Sequence, residues 1–279
     1  MLSIVFGLTS ALVWGAGDFS GGLVSRRAGA VRATLYGEAS GILLLLVLVL
    51  ASREPVIPLA DWLWSGAAGA CGALGLLALY HSLASGRMSI AAPVSALTAA
   101  ALPVVVGSLT EGLPPLTTLA GFILALAAIW LISQTGSHGK PAHLQLSELA
   151  MPLLSGTAFG IYFILIHAGS RHGVFWPMVA ARGAGTLALL AFAAFSHQLA
   201  PLEAHHWPLV GLNALLDVGG NTFYILAGRA GRLDVAAVLG SLYPGSTVLL
   251  AWVVLKEALN RSQLAGVLAA LAAITLLMI

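Results

Sequence analysis

Apolar runs of about 20 residues recur along the whole chain, and that is the length an α-helix needs to cross the hydrocarbon core of a bilayer. Charged residues, glycines and prolines divide the runs into two sets of five. The first set covers about 2 to 24, 31 to 51, 61 to 84, 88 to 109 and 115 to 134. The second covers about 147 to 170, 174 to 196, 207 to 229, 233 to 255 and 261 to 279. Only 8% of the 279 residues are charged and 59% are hydrophobic, which excludes a soluble domain with its usual charged fraction of roughly a quarter. Ten spans consume about 200 residues, so the connections are too short for an extramembrane domain. Cys71 is the single cysteine, which excludes an internal disulfide. A net charge of +2 scattered over many loops offers no basic block, so nucleic acid is not an expected partner. The uncharged stretch from Met1 to Gly17 has no Lys or Arg before it and is too long for a signal-peptide core; it reads as a first helix.

The two sets are alike in sequence. LTSALVWG (8–15) aligns with LLSGTAFG (153–160), which brings Arg26 over Arg171. EGLPPLTTLAG (111–121) matches EALNRSQLAG (257–266) with one gap. The chain therefore divides into a first repeat, 1–134, a polar linker, 135–146 (TGSHGKPAHLQL), and a second repeat, 147–279. Because five is odd, the second repeat enters the bilayer from the opposite side. The expected fold is an all-α polytopic membrane protein of ten transmembrane helices, a five-plus-five inverted repeat with a shared interface near the midplane.

Connections at the N-terminal end of the bundle carry Arg53, Arg171, Arg229 and Arg232. Those at the other end carry Arg26, Arg27, Arg32, Arg87, Lys140, Lys256 and Arg261. By the positive-inside rule the second group marks the cytoplasmic side.

Three segments carry a family resemblance: WGAGDFSGG (14–22), ALYHSLASGRMSIAAPVSAL (78–97), and LGSLYPGSTVLLAWVVLKEAL (239–259) with the LAG that follows. With these, the chain resembles the drug/metabolite transporter superfamily in its ten-helix EamA-type branch, over nearly its whole length. The resemblance implies two five-helix halves, a central cavity built largely from helices one, three, four, six, eight and nine, and transport of small metabolites or drugs. It also implies a proline bend in helix nine, present as Pro244, with Pro93 and Pro103 flanking the corresponding place in the first half. Family members carry a basic N-terminal leader that is missing here, and both termini in the cytoplasm, opposite to the loop charges. We take the orientation that the resemblance implies.

Charges inside a span cost a few kcal/mol, so each asks for a partner or a role. Asp18 lies well inside helix one on the face of Trp14, with Gly21 and Gly22 admitting a close neighbour. A carboxylate there suits binding of a cationic group or a proton, and is similar by position to the acidic residue of the small multidrug-resistance relatives. The alternative is an interfacial or backbone-capped Asp. Asn213, Asp217, Asn221 and Tyr224 share one face of helix eight, at spacings of four, four and three, and read as cavity lining or as a hydrogen-bonded seam between helices. Glu38 and Arg182 fall at nearly equivalent places of the two repeats and read as an ion pair or gate, or as residues with separate partners. Tyr80, His81, Tyr162, Trp14 and Tyr243 complete the expected substrate-cavity set.

GAGD (15–18) with Asp217 also fits an intramembrane aspartyl protease, but a five-plus-five duplication has no reason to build a close aspartate dyad. His197, Glu203, His205 and His206 could suit zinc, though a solvated loop is the simpler reading. No metal and no cofactor are therefore expected. The expected function is non-enzymatic: alternating-access transport, in the export direction, of small metabolites, amino acids or drugs, coupled to protons through Asp18. A facilitative uniporter of the same fold is the alternative. Expected partners are a small-molecule substrate, protons and the lipid bilayer, in a cell inner or plasma membrane, with the chain a monomer or weak homodimer.

Overall fold

The computed structural model describes residues 1–84, 88–132, 146–255 and 260–278. Residues 135–145 of the linker and the side chains of Tyr80, His81 and Pro93 lie outside the described residues. The first five helices are α1 (Leu2–Ala28), α2 (Ala30–Ser52), α3 (Leu59–Ala84), α4 (Met88–Thr110) and α5 (Leu116–Ile132). The second set comprises α6 (Leu146–Gly169), α7 (Phe175–Phe195), α8 (Trp207–Ala230), α9 (Leu233–Gly240), α10 (Tyr243–Leu255) and α11 (Arg261–Met278), with a 3-10 turn, Ala204–His206, before α8. Among the described residues there is no strand. The chain is a polytopic all-α membrane protein of ten spans, the ninth made of two helices.

Five helices, among them α2 and α7, are long and apolar enough to cross a membrane by length and composition, and α4, α5 and α11 add shorter apolar stretches. Large apolar side chains face outward: Leu43, Val47 and Leu50 on α2, Phe195 at the end of α7, and Leu268 and Leu271 on α11 are all exposed. Lipid is the solvent such a surface requires. The α1 helix runs to Ala28, past the expected end near residue 24, because the exposed Arg27 can extend its head to the interface while its stem stays along the helix.

Packing follows the inverted repeat. Exchanging the two sets pairs α1 with α6, α2 with α7, α3 with α8, α4 with α9 and α10, and α5 with α11. Under that exchange the contact of α1 with α8 becomes that of α6 with α3, and both are extensive. The α4–α6 contact becomes that of α9 and α10 with α1, and the α2–α8 contact becomes α7–α3. The α2–α7 and α5–α11 contacts map onto themselves. Helix association in lipid rests on close van der Waals contact and small residues rather than on apolar burial. Gly69 on α3 shows how close that contact is: a Cβ there would collide with the backbone carbonyl of Ala181 on α7.

The ninth span breaks at Ser241 and Leu242. Pro244 follows in the first turn of α10, where its missing N–H is no loss, whereas in an unbroken helix it would clash with the preceding turn. By contrast α4 runs unbroken through Pro103, which is buried. The short α9 is buried almost throughout and packs against α1, α4 and α8. Ser246 on α10 holds α1 by donating its hydroxyl to the Ala11 carbonyl at 2.7 Å.

Candidate functional site

Among the described residues, the buried cation at the centre of the bundle is Arg182, near the middle of α7, with 8% of its side chain exposed. Its Nη1 lies 2.9 Å from Glu38 Oε1 on α2, and its Nη2 pairs with Asp217 Oδ2 on α8. Gly41, one turn after Glu38, leaves room for the guanidinium: a Cβ there would stand 3.3 Å from it. The polar chain continues beyond Asp217. Asn221 donates from Nδ2 to Asp217 Oδ2 at 3.2 Å and to the Asp217 carbonyl at 2.8 Å. The Tyr162 hydroxyl on α6 then donates to Asn221 Oδ1. Glu38, Arg182, Asp217, Asn221 and Tyr162 thus form one connected line across α2, α7, α8 and α6, with one member in the first helix set and four in the second.

Above this line a cleft encloses about 490 Å³, its open mouth included. The walls are Asp18, Gly21 and Val24 of α1; Ala33, Thr34, Gly37 and Glu38 of α2; Leu76 of α3; Arg182 of α7; and Val210, Asn213 and Asp217 of α8. These residues come from the last third of α1 and the first halves of α2 and α8, so the cleft lies toward the end of the bundle where α1 turns into α2. Asn213 fixes its rim by donating from Nδ2 to the Gly17 carbonyl at 2.8 Å, one residue before Asp18. The Asp18 side chain stands exposed in the cleft. Tyr243, at the start of α10, is near enough to feel the Asp18 charge.

Toward the other end, aromatic rings close the bundle. Trp14 stacks on Phe163 with ring centroids 5.6 Å apart, and Tyr224 completes the layer at 4.7 Å from Phe163 and 5.5 Å from Trp14. The indole fits because α8 carries Gly220 beneath it; a Cβ there would collide with the ring. Below the rings, Ser10 donates to the Gly220 carbonyl at 2.8 Å and Ser3 to the Ala227 carbonyl at 2.9 Å, pinning α1 along α8.

Three polar contacts between the helix sets then seal this end. Glu54 accepts from the N–H groups of Val174, Phe175 and Trp176, at 2.5, 2.8 and 3.0 Å, and so caps α7 from the other half of the chain. Asp61, buried in the first turn of α3, pairs with His172 Nδ1 at 2.9 Å. Arg232 donates to the carbonyls of Glu111 and Gly112 at 3.3 and 2.7 Å and pairs with Asp234 at 2.8 Å. Hydrogen bonding to Asp234 holds the Arg232 guanidinium above its ordinary pKa.

The expected site residues thus separate into layers. Asp18, Glu38, Arg182, Asn213 and Asp217 line the cleft; Asn221 and Tyr162 form the layer beneath it. Tyr224 is 1% exposed, its hydroxyl turned to the Phe163 carbonyl at 3.3 Å, and with Trp14 it belongs to the closing aromatic layer rather than to the cleft wall. Thr34 and Gly37 were not singled out from sequence, yet they share the α2 face of Glu38 and Gly41 by helical spacing. Glu54, Asp61, Glu111 and Asp234 were also passed over; acids at helix ends were the available signal. The paired-aspartate protease reading gains nothing from the geometry, because the Asp217 carboxylate is held by Arg182 and Asn221 rather than set to share a proton with Asp18.

The sequence profile of the EamA-like transporter family matches residues 146–279, the second helix set. That match, together with the apolar helices, indicates an integral membrane transporter of the drug/metabolite superfamily. A solved crystal structure, titled only as that of a protein, is similar in fold with a TM-score of 0.79 at 15% identity, covering 98% of this chain and 95% of that one. No curated protein matches the chain.

Proposed function

We propose that this protein is an alternating-access exporter of small solutes that carry a positively charged group, amino acids and amines among them, and that Asp18 couples their movement to protons. It would act in a cell inner or plasma membrane. The observation that carries this reading is the charge of the cleft: three carboxylates, Asp18, Glu38 and Asp217, line it with one guanidinium, Arg182, which Glu38 and Asp217 pair. With all four ionised, two negative charges are left without a cation, in a region where an uncompensated charge is costly. Either protons or a cationic solute can compensate them, and competition between the two is the basis of exchange. Asp217 and Glu38 already hold Arg182, so Asp18 is the carboxylate available to a solute. The cleft lies between the helix sets, open toward one end and closed toward the other by the Trp14, Phe163 and Tyr224 layer, an arrangement that favours rocking of one set against the other.

The test is internal pH in proteoliposomes challenged with pooled amines, amino acids and nucleobases, for wild type and Asp18→Asn. The expected result is solute-evoked proton movement from the cationic pools that the variant loses. Solute flux without a proton signal would replace exchange by facilitated diffusion, and flux confined to anionic solutes would overturn the charge argument.

A further inference from the structure

The connection from α7 to α8 brings together donors that serve no part of the cleft. We propose that Glu203, His205 and His206 bind a divalent transition metal ion of the zinc type at the rim of the cleft, an inference that goes beyond the transport reading and does not depend on it. Their ligand atoms, a carboxylate oxygen and two imidazole nitrogens, all lie within 4.8 Å of one another. The pair His205 Nδ1 and Glu203 Oε2 is 3.4 Å apart, and the two imidazole rings lie 3.7 Å apart.

Local backbone geometry builds this cluster. The His206 N–H donates to the Glu203 carbonyl at 3.0 Å, closing a 3-10 turn, and such a turn sets residues three apart above one another. Pro201 and Pro208 flank the segment and restrict its backbone on both sides. His206 is the most buried of the three donors. It is 6% exposed, and among the described residues its imidazole makes no hydrogen bond or ion pair, only the ring contact with His205. Neither of its ring nitrogens is among the buried polar atoms left without a partner, so the imidazole is open to a metal ion from solvent. Two neutral imidazoles and one carboxylate are borderline donors that suit zinc, copper or nickel better than magnesium or calcium, and they leave a fourth position for water.

The position gives the ion a consequence. Trp207 opens α8 directly after the site, and Val210 and Asn213 line the cleft within the next two turns. Leu202, just before it, packs with Val24, Ala28, Ala33 and Val210, the apolar seam joining this connection to α1 and α2. A metal bound here ties the connection to the start of α8 and stiffens the mouth of the cleft.

The experiment uses the full chain with a purification tag free of histidine, stripped with chelator and titrated with Zn²⁺ against a fluorescent zinc indicator. One zinc ion per chain is expected, with affinity reduced about tenfold or more by His205→Ala, Glu203→Gln or His206→Ala and unchanged by His197→Ala. His205 and Glu203 are exposed, so their variants keep the test valid should His206→Ala disturb folding. Absence of stoichiometric binding, or binding that survives both His205→Ala and Glu203→Gln, overturns the proposal.

Discussion

Arg182 on α7 and Glu38 on α2 stand 2.9 Å apart across the boundary between the two helix sets, with Asp217 on the other edge of the same guanidinium. The arrangement makes Arg182 far more costly to remove than either acid. Taking away the guanidinium leaves two carboxylates without their cation, whereas taking away one carboxylate leaves a pair. We expect Arg182→Ala to destabilise the protein by about 3 to 5 kcal/mol and Glu38→Gln by clearly less. Thermal unfolding in detergent measures both; equal losses would show that the two acids do not share the cation.

Contact between α3 and α7 is set by glycine. Gly69→Ala pushes a methyl group onto the Ala181 carbonyl and is expected to cost about 1 to 3 kcal/mol. Gly183, on α7 itself, has open space where its Cβ would be, and Gly183→Ala is expected to be neutral or to stabilise by about 0.5 to 1 kcal/mol through helix propensity. The two melting curves should therefore move in opposite directions or only the first should move.

Glu54 satisfies three N–H groups that α7 cannot satisfy for itself. Its replacement by Ala should lower stability by about 1 to 3 kcal/mol, and replacement by Gln, which keeps an acceptor oxygen, by less. Hydrogen exchange read by mass spectrometry should localise the loss to the first turn of α7; a loss spread evenly over the protein would contradict capping.

Orientation is open to a chemical readout. In a Cys71→Ser background, Asn213→Cys places a thiol on the wall of the cleft, and Ser10→Cys places one in the closed half. A membrane-impermeant maleimide should label the first and spare the second. With both termini in the cytoplasm the label enters from outside the cell; labelling only in inverted vesicles would instead support the orientation read from the loop arginines.

The spans were legible because lipid imposes a single rule, a run of apolar residues long enough to cross; among the described residues five helices meet it outright and α4, α5 and α11 add shorter apolar stretches. The break in the ninth span was only half legible. Pro244 marks the place, but Pro103 is an equally clear mark on α4, where the helix runs on; the difference lies in packing that no local pattern carries. In the site, Glu38 and Arg182 were placed as equivalents by repeat alignment, and their contact follows from α2 and α7 being mates under the exchange. That Asp217 joins them was not readable, since it depends on how far α8 leans toward α7. Tyr224 shows the limit of a polar stripe: it shares a helix face with Asp217, yet lies two turns deeper, past the point where the cleft ends.

The seal at the closed end has a polarity of its own. Glu54, Asp61 and Glu111 come from the first half of the chain, while the α7 N-terminus, His172 and Arg232 that meet them come from the second. Two copies of the first half would set acid against acid at this end, and two copies of the second would leave its donors facing one another. The halves share one packing pattern but are not interchangeable: they behave as the two different subunits of a heterodimer that happen to share one chain.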